Sequence, residues 1–212
     1  MNFDELFGLD AKETSVRSLG DLKAISLDDE SKVWVGKLPP ELFDAFEPIW
    51  ALHPEGFNSI RMFEKQVPLP RWQQAYGRNY RFSGQVSEAL PVPVTLCPYL
   101  EWAQSLDPRM GAMNGLLLNW YDDKKKHYIG RHRDSTEGLV PGLPIVTLSL
   151  GGTRAFRMRR YQVQGSYQDV EVENGSVLVI PWKTNKAWTH EVPTLASRYS
   201  GRRVSITVRA FT

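Results

Sequence analysis

The chain has 212 residues, of which 42% are hydrophobic and 24% charged, with a formal net charge of +2. This profile is typical of a globular protein long enough to form one core, and no apolar run approaches the roughly 18 residues of a membrane-spanning helix. The acidic N-terminus lacks the order of a signal peptide, and a single cysteine, Cys97, excludes an internal disulfide framework. The sequence therefore predicts a soluble, intracellular protein.

The chain divides into a leader and one domain. Residues 1–30 are polar and loosely patterned, which predicts a flexible leader ahead of a single domain over residues 31–212. Apolar stripes in the first half predict two helices, one from Glu41 to His53 and one from Pro98 to Leu106. A strand is expected between them, from Ser59 to Phe63.

The second half of the chain has a strand-rich pattern. Short runs rich in Val, Ile, Leu and aromatic residues predict strands at Leu116–Tyr121, Ile145–Leu150, Ala155–Met158, Asp169–Val172, Ser176–Ile180 and Val204–Phe211. The Asn174-Gly175 pair between two of these runs predicts a hairpin turn. The expected fold is mainly β with flanking helices (α+β), an antiparallel sandwich or barrel with the helices outside.

Three side chains form a candidate metal site. His132 and Asp134 are two positions apart, so in an extended segment they point to the same face. A third ligand, His190, would come from the strand-rich end of the chain. Two histidines and a carboxylate are the facial triad of non-haem Fe(II) oxygenases. A solvated polar loop around His132, with His190 an ordinary capping or partly buried residue, is the alternative.

A second polar pattern lies near the C-terminus. One face of the predicted last strand carries the polar residues Arg203, Ser205, Thr207 and Arg209, and the other face is apolar. The polar face either lies in water or lines a cavity. In a cavity, its two guanidiniums can bind a dicarboxylate through paired hydrogen bonds, and Asn119 and Tyr121 offer an amide and a phenol to the same anion.

Together these motifs resemble the AlkB family of Fe(II)/2-oxoglutarate-dependent nucleic-acid dealkylases over residues about 60 to 211. The resemblance is carried in order by Asn119-Trp120-Tyr121, His132-Arg133-Asp134, Pro144-Ile145 with Ser149-Leu150-Gly151, Trp188-Thr189-His190 and Arg203-x-Ser205-x-Thr207-x-Arg209. The animal-type DNA-repair branch is the most similar, through Phe63, Pro70-Arg71, Ala75-Tyr76-Gly77 and Tyr80-Arg81-Phe82-Ser83-Gly84.

The resemblance implies a double-stranded β-helix (jelly roll) with an N-terminal helical layer and a nucleotide-recognition lid near residues 60–90. It implies that His132, Asp134 and His190 bind Fe(II). The implied 2-oxoglutarate pocket consists of Asn119, Tyr121, Arg203, Ser205, Thr207 and Arg209. Arg209 is expected to pair with the distal carboxylate. The family usually has Asn where this chain has Ser205, which puts one cofactor contact in doubt.

The implied reaction is oxidative demethylation of N-alkylated bases, such as 1-methyladenine or 3-methylcytosine, in DNA or RNA. It consumes 2-oxoglutarate and O₂ and releases succinate and formaldehyde. The implied partner is alkylated DNA or RNA, bound by a monomer with no obligate protein partner. A eukaryotic source would place the protein in the nucleus.

The substrate contacts are expected in and beside the lid. Tyr80 and Phe82 would line the base pocket, and Phe63 resembles a finger that fills the gap left by a flipped base. The remaining expected contacts are Lys65 and Arg71 to phosphate, together with Ser83 and Ser135. The animal repair branch tends to carry acidic residues where this chain has Ser135 and Thr136, so the base preference is open. Trp72 and Tyr76 are interpreted as core residues.

Two other functions remain open at this point. One is a 2-oxoglutarate oxygenase that hydroxylates or demethylates a protein or a small molecule, because the same pocket serves many substrates. The other is a nucleic-acid-binding module without iron.

Overall fold

The computed structural model describes residues 16–62, 65–82, 85–194 and 199–212. In these ranges the helices are α1 (Pro40–Phe43), α2 (Phe46–Trp50), α3 (Cys97–Ser105) and α4 (Trp182–Ala187). The strands are β1 (Lys23–Ser26), β2 (Lys32–Lys37), β3 (Ser59–Met62), β4 (Lys65–Pro68), β5 (Trp72–Tyr76), β6 (Tyr80–Phe82), β7 (Gln85–Ser87), β8 (Ala89–Leu90), β9 (Gly115–Tyr121), β10 (Ile129–His132), β11 (Ile145–Gly151), β12 (Arg154–Arg160), β13 (Gln168–Val172), β14 (Ser176–Ile180), β15 (Trp188–Val192) and β16 (Arg203–Arg209).

The strands form two main sheets that pack face to face. The larger sheet has the order β1-β2-β14-β11-β16-β9-β5-β8, and the smaller has the order β10-β15-β12-β13. A hydrophobic cluster joins them, with Leu178 and Ile180 of the larger sheet packed among Phe156, Met158 and Val192 of the smaller. The pairs β3–β4 and β6–β7 lie in the predicted lid region. This arrangement confirms the predicted jelly roll with flanking helices.

The outer face of the larger sheet packs against the helices. Alternate residues of β9, such as Leu118 and Trp120, share one buried cluster with Ile49 of α2 and Tyr99 of α3. The indole Nε1 of Trp120 donates to the Ile49 carbonyl at 3.0 Å, so the largest side chain of this face is also satisfied. The helices therefore seal one face of the sheet and leave the other face for the site.

The inner face of the larger sheet is buried as well. All seven residues of β16 are buried, including the polar ones that alternate along the strand. Because β16 pairs with β11 on one side and β9 on the other, it lies near the centre of the sheet. Its polar face therefore lines the space between the two sheets, and the alternative of a strand half exposed to water is wrong.

The predicted helix from Glu41 to His53 is instead two short helices that meet at Asp44 and Ala45. Proline has no N–H, and its ring clashes with the carbonyl four residues earlier, so it is tolerated only in the first turn of a helix. α2 accordingly begins at Phe46, which places Pro48 in its first turn. The predicted apolar stripe is present, but Pro48 makes one continuous helix unfavourable.

The Asn174-Gly175 turn forms, but the predicted hairpin does not. Ser176 N donates to Glu173 O at 3.1 Å, yet β13 pairs with β12, whereas β14 pairs with β11 and β2. The favoured hairpin turn needs a positive φ at both central residues, and here Gly175 has φ +77° while Asn174 does not have a positive φ. The turn therefore carries the chain from the smaller sheet to the larger one.

Residues 16–30 belong to the fold rather than to a leader. Val16 is fully buried and its N–H donates to the Lys37 carbonyl at 2.9 Å, and β1 pairs with β2 along its whole length. Pairing with β2 satisfies backbone polar groups of residues 23–26, and a polar composition alone does not predict such pairing. The rest of the predicted leader, residues 1–15, lies outside the described residues. Among the described residues, no helix is long and apolar enough to cross a membrane.

Candidate active site

Two strands of the smaller sheet bring the three candidate metal ligands together. His132 ends β10 and is paired in register with His190 of β15, so their ring centroids lie 4.3 Å apart. Asp134 follows β10 by two residues. One ligand atom from each of the three side chains lies within 4.8 Å of the other two. The arrangement therefore places two imidazoles and a carboxylate around one point.

The two imidazoles are prepared to donate electron pairs. His132 Nδ1 lies 2.8 Å from the Gly130 carbonyl, so an N–H there fixes the ring and leaves Nε2 for a metal. Burial, with His132 nearby, lowers the pKa of His190 to about 3, which keeps that ring neutral. His190 Nδ1 is buried and has no hydrogen-bond partner in the part of the chain that the structure describes. An unpartnered buried nitrogen fits a metal ligand.

Asp134 is held from three sides. Its Oδ1 accepts from the Tyr80 hydroxyl at 2.9 Å and from Arg209 Nη2 at 2.8 Å. Its backbone N–H and carbonyl are both bonded by the side-chain amide of Asn185 in α4. Burial alone would raise the pKa of Asp134, but Arg209 and the two histidines outweigh it and lower that pKa below its usual range. The carboxylate is therefore ionised and fixed in orientation.

These donors fit a ferrous ion. Two neutral imidazoles and one carboxylate on one side of a cavity are the nitrogen and oxygen ligands of a non-haem Fe(II) facial triad. Such a triad leaves coordination positions open on the side that faces the cavity.

The cavity lies between the two sheets. Its empty volume, which includes open solvent at its mouth, is about 540 Å³. Strands β10 and β15 of the smaller sheet and the loop after β10 contribute the candidate metal ligands. The larger sheet contributes the polar face of β16 and β9. The wall includes Arg71, Gln73, Tyr80, Phe82, Asn119, Tyr121, Thr147, Phe156, Arg203, Ser205, Thr207 and Arg209.

Arg203 lies at one end of this cavity with an unused donor. Its Nε donates to Ser149 Oγ at 2.7 Å, and its guanidinium lies 5.1 Å from the centre of the Tyr121 ring. Its Nη1 is buried without a hydrogen-bond partner in the described residues. Burial lowers the pKa of Arg203 to about 10, so it stays protonated at neutral pH. This end of the cavity is therefore built to receive an anion.

Arg209 lies at the other end, beside the metal ligands. Its side chain is 3% exposed and forms an ion pair with Asp134. Burial opposes the charge of Arg209, but Asp134 outweighs it and raises the pKa of Arg209 above its usual value. The guanidinium also lies over the Tyr80 ring, 4.4 Å from its centre. Its contacts thus place Arg209 beside the candidate metal ligands rather than at the end of the cavity where Arg203 lies.

Arg71 occupies an unexpected position. Its side chain is buried in the cavity wall, where Nε donates to Asn119 Oδ1 at 2.7 Å and Nη2 donates to Gln73 Oε1 at 2.9 Å. The pairing of β5 with β9 places Gln73 opposite Asn119, which turns the polar groups of this segment inward. This differs from the exposed phosphate contact expected from the sequence, because Arg71 does not reach the surface.

The other residues expected to contact the substrate lie in the cavity wall, on the surface or outside the described residues. Tyr80 and Phe82 line the cavity with their rings stacked 5.9 Å apart. Lys65 is exposed on β4. Ser135 is half-buried at the edge of the site, and its Oγ accepts from Glu137 N–H at 3.2 Å. Phe63 and Ser83 lie outside the described residues. Trp72 and Tyr76 are buried in the main core, in agreement with their interpretation.

Sequence reasoning missed the wall residues Thr147 and Phe156 and three residues that hold other site groups in place. Gln73 and Ser149 support arginines of the cavity wall, and Asn185 holds the backbone of Asp134. Gln73 follows Arg71 by two positions, so strand alternation could have placed both on one face. Asn185 has no such signal, because it lies in α4, a helix that the strand-rich pattern did not predict.

Comparisons with known proteins agree with this geometry. A model of the 2OG-Fe(II) oxygenase superfamily matches residues 47–209. The mouse protein "DNA oxidative demethylase ALKBH2" is 29% identical over 204 residues, covering 89% of this chain and 82% of the mouse protein. Its Bos taurus counterpart is 27% identical over 206 residues, covering 90% of this chain and 71% of the cattle protein.

A more distant relative and a solved structure extend the comparison. The mouse "Alpha-ketoglutarate-dependent dioxygenase alkB homolog 3" is 32% identical over 157 residues, covering 67% of this chain and 52% of that protein. The structure of OsALKBH1 superposes with a TM-score of 0.62 at 15% identity, covering 88% of this chain and 99% of that one, which supports the fold. The chain therefore belongs to the 2OG-Fe(II) oxygenase superfamily, as an AlkB-family, Fe(II)- and 2-oxoglutarate-dependent dioxygenase of the animal type.

Proposed function

We propose that this dioxygenase demethylates N-alkylated bases in DNA or RNA by oxidation. The observation that carries the proposal is the position of Tyr80. Its ring and that of Phe82 form an aromatic wall of the cavity, and its hydroxyl donates to the candidate iron ligand Asp134. A base lying against this wall would present its methyl group to the metal centre. Relatives named as DNA oxidative demethylases support this choice of substrate.

In this proposal, His132, Asp134 and His190 hold Fe(II). With 2-oxoglutarate and O₂, the bound iron supplies an oxidation that hydroxylates the N-methyl group while 2-oxoglutarate becomes succinate and CO₂. The hydroxymethyl group then leaves the nitrogen as formaldehyde, which restores the base. The protein orients the reactants: Tyr80 and Arg209 fix the Asp134 carboxylate, and the two sheets exclude bulk water from the cavity.

The contacts of the two strand arginines favour a division of labour on 2-oxoglutarate. Arg203, with its unpaired Nη1 at the far end of the cavity, would bind the distal carboxylate. Arg209, already paired with Asp134, would lie beside the iron end. This assignment replaces the expectation that Arg209 holds the distal carboxylate. Asn119, Tyr121, Ser205 and Thr207 complete the polar wall around the cofactor.

Arg203→Met tests this division. It should raise the KM for 2-oxoglutarate by about 10- to 100-fold, because a charge-assisted hydrogen bond to the distal carboxylate is lost. Arg202→Gln is the matched control, because Arg202 is the next residue but its guanidinium is exposed. If Arg203→Met leaves the KM for 2-oxoglutarate unchanged, the distal carboxylate would be assigned to Arg209 instead.

The nucleic acid must deliver its base to a buried centre. A base inside a duplex cannot reach the metal, so it is flipped out or supplied in a single strand. Lys65 on the exposed strand β4 is available for a phosphate contact, and we retain Phe63 as the proposed finger and Ser83 as a proposed contact. We further propose that the protein acts as a monomer inside the cell, in the nucleus if the source is eukaryotic.

The decisive experiment supplies the Fe(II)-loaded protein with methylated single- and double-stranded oligonucleotides and measures formaldehyde and succinate. Methylated oligonucleotides should stimulate both products, whereas peptides should not. His132→Ala should abolish both products and lower the bound iron. His53→Gln, a histidine outside the cavity, is the control and should retain its iron. Stimulation by peptides alone would instead indicate a protein oxygenase.

A further inference from the structure

Arg71 is a buried cation without a carboxylate partner among the described residues. Its side chain is 5% exposed, and its two side-chain hydrogen bonds end on the neutral amide oxygens of Asn119 and Gln73. Amide oxygens solvate a guanidinium but do not neutralise it, and an uncompensated buried charge is costly. A ligand that accepts hydrogen bonds from Arg71 would lower the free-energy cost of burying its charge.

The position of Arg71 is between the base side and the cofactor side of the cavity. It lines the same cavity as Tyr80, in the proposed base wall, and Tyr121, beside Arg203. It also shares Asn119 with the polar wall of the larger sheet. A base that lies against Tyr80 therefore shares one cavity with the Arg71 guanidinium.

The side chains that line the cavity have a net positive charge. Three guanidiniums line the cavity, and among the described lining residues Asp134 is the only carboxylate. Asp134 is already used by Tyr80 and Arg209 and would bind iron. Fe(II) and the dianion of 2-oxoglutarate cancel each other, so the bound cofactors do not remove the excess positive charge.

Ser135 stands where an acidic residue would offset this charge. The backbone of Ser135 bonds the Tyr80 hydroxyl, so its side chain is close to the proposed base wall. Its hydroxyl caps the following turn by accepting from Glu137 N–H. The Glu137 carboxylate itself is 68% exposed and lies 3.7 Å from Arg81, outside the cavity. No carboxylate of the described residues is therefore free to face a cationic base.

Alkylated bases differ in charge for a simple chemical reason. Methylation of the pairing-edge ring nitrogen of guanine or thymine replaces an N–H hydrogen and leaves a neutral base with carbonyl oxygens. The same change in adenine or cytosine adds a methyl group to a nitrogen that has no hydrogen, which creates a cation at neutral pH. A guanidinium favours the first class, because it donates to a carbonyl oxygen and repels a cation.

We infer that the cavity selects an alkylated base that is neutral at pH 7 and that presents a carbonyl oxygen to Arg71. This inference rests on the proposed demethylase function and narrows it to methylated guanine and thymine over methylated adenine and cytosine. Arg71 is the specificity-determining residue, and Ser135 is the position at which a negative charge would reverse the preference.

The test compares formaldehyde release from single-stranded oligonucleotides of one sequence. Each carries 1-methylguanine, 3-methylthymine, 1-methyladenine or 3-methylcytosine. The two neutral bases should have a kcat/KM about tenfold higher than the two cationic ones, the difference expected for a charge-assisted hydrogen bond. Faster release from the cationic bases would overturn the inference. Formaldehyde from none of the four, with 2-oxoglutarate turnover intact, would instead overturn the proposed function.

Variants separate the effect of Arg71 from a general loss of activity. Arg71→Gln should lower kcat/KM for the neutral bases about tenfold more than it lowers kcat/KM for the cationic bases. Ser135→Asp, which can cap the same turn, should raise kcat/KM for the cationic bases. Arg109→Gln is the control, because that guanidinium is 74% exposed and outside the cavity. Equal losses on all four bases in Arg71→Gln, with no gain in Ser135→Asp, would refute the role of Arg71.

Discussion

At the scale of single residues, the carboxylate of Asp134 organises the site. The Tyr80 hydroxyl and Arg209 both donate to Oδ1, so neither of these bonds uses Oδ2. Groups that bond a metal ligand from outside its coordination sphere fix the orientation of that ligand and are a large part of metal affinity. Tyr80 therefore has two roles, one toward the base and one toward the iron.

Tyr80→Phe separates these roles, because it removes the hydroxyl and keeps the ring. We expect Fe(II) affinity to fall by about 10- to 100-fold, the usual effect of losing such a supporting bond. The KM for a methylated oligonucleotide should change much less, since the aromatic wall remains. Tyr167→Phe is the control, because Tyr167 is 52% exposed on the surface. Iron titration of both variants decides the matter, and unchanged affinity in Tyr80→Phe would contradict the iron role.

The individual residues also show what a sequence can and cannot reveal. His132, Asp134 and His190 could be proposed because residue type and spacing suggest a shared ion, and the structure brings them together. Arg71 was expected at the surface because arginines are mostly exposed. Only its position next to a strand that pairs with β9 shows that its side chain turns toward Asn119. Burial of a charge depends on distant partners, and local pattern does not contain them.

At the scale of elements, alternation along β16 was the most informative pattern. Its polar face could be predicted from residues two apart, but whether that face meets water or a cavity depends on the second sheet. The interrupted helix (α1 and α2) and the Asn174-Gly175 turn between the sheets show that a favourable pattern can also mislead. Pro48 and the backbone of Asn174 each impose a local restriction that outweighs a favourable composition.

The inter-sheet turn gives a prediction about stability. Gly175 has φ +77°, and a Cβ there would lie 2.6 Å from Phe43 Cδ1. Gly175→Ala should lower the free energy of unfolding by roughly 1–2 kcal/mol for the left-handed backbone and by about 1–3 kcal/mol more for the clash. Gly142→Ala is the matched control, because Gly142 has φ +84° but nothing within 4 Å of the added Cβ.

Urea denaturation of the two variants measures the difference. Gly142→Ala should show the backbone contribution alone, and Gly175→Ala should be clearly less stable. Equal losses in both variants would mean that Phe43 moves aside without cost.

At the scale of the whole molecule, the cavity depends on two sheets held at a fixed separation. The smaller sheet supplies the histidines, the larger supplies Arg203 and Arg209, and the loop after β10 supplies Asp134. Arg71, Arg203 and Arg209 are buried in one cavity whose described lining includes a single carboxylate, Asp134, so the three positive charges repel one another in the absence of cofactor. Binding of the 2-oxoglutarate dianion relieves this repulsion, so cofactor binding is expected to stabilise the fold.

Thermal unfolding without oxygen checks this expectation. Fe(II) and 2-oxoglutarate, each at about 100 times its Kd, should each raise the Tm by about 5–10 °C. In Arg203→Met the part of the increase that depends on 2-oxoglutarate should be much smaller at the same concentrations, while the part due to Fe(II) should remain. A Tm that 2-oxoglutarate leaves unchanged would show that the cavity does not bind it.

The central place of β16 in the larger sheet has a consequence for synthesis of the protein. β16 is the last strand in chain order, yet it joins β11 to β9, so the strands on either side of it share no ladder until it arrives. During translation, all three candidate iron ligands, the last of which is His190, are made before residues 203–209. Because Arg203 and Arg209 belong to β16, we expect the proposed 2-oxoglutarate site to form only after this strand has paired.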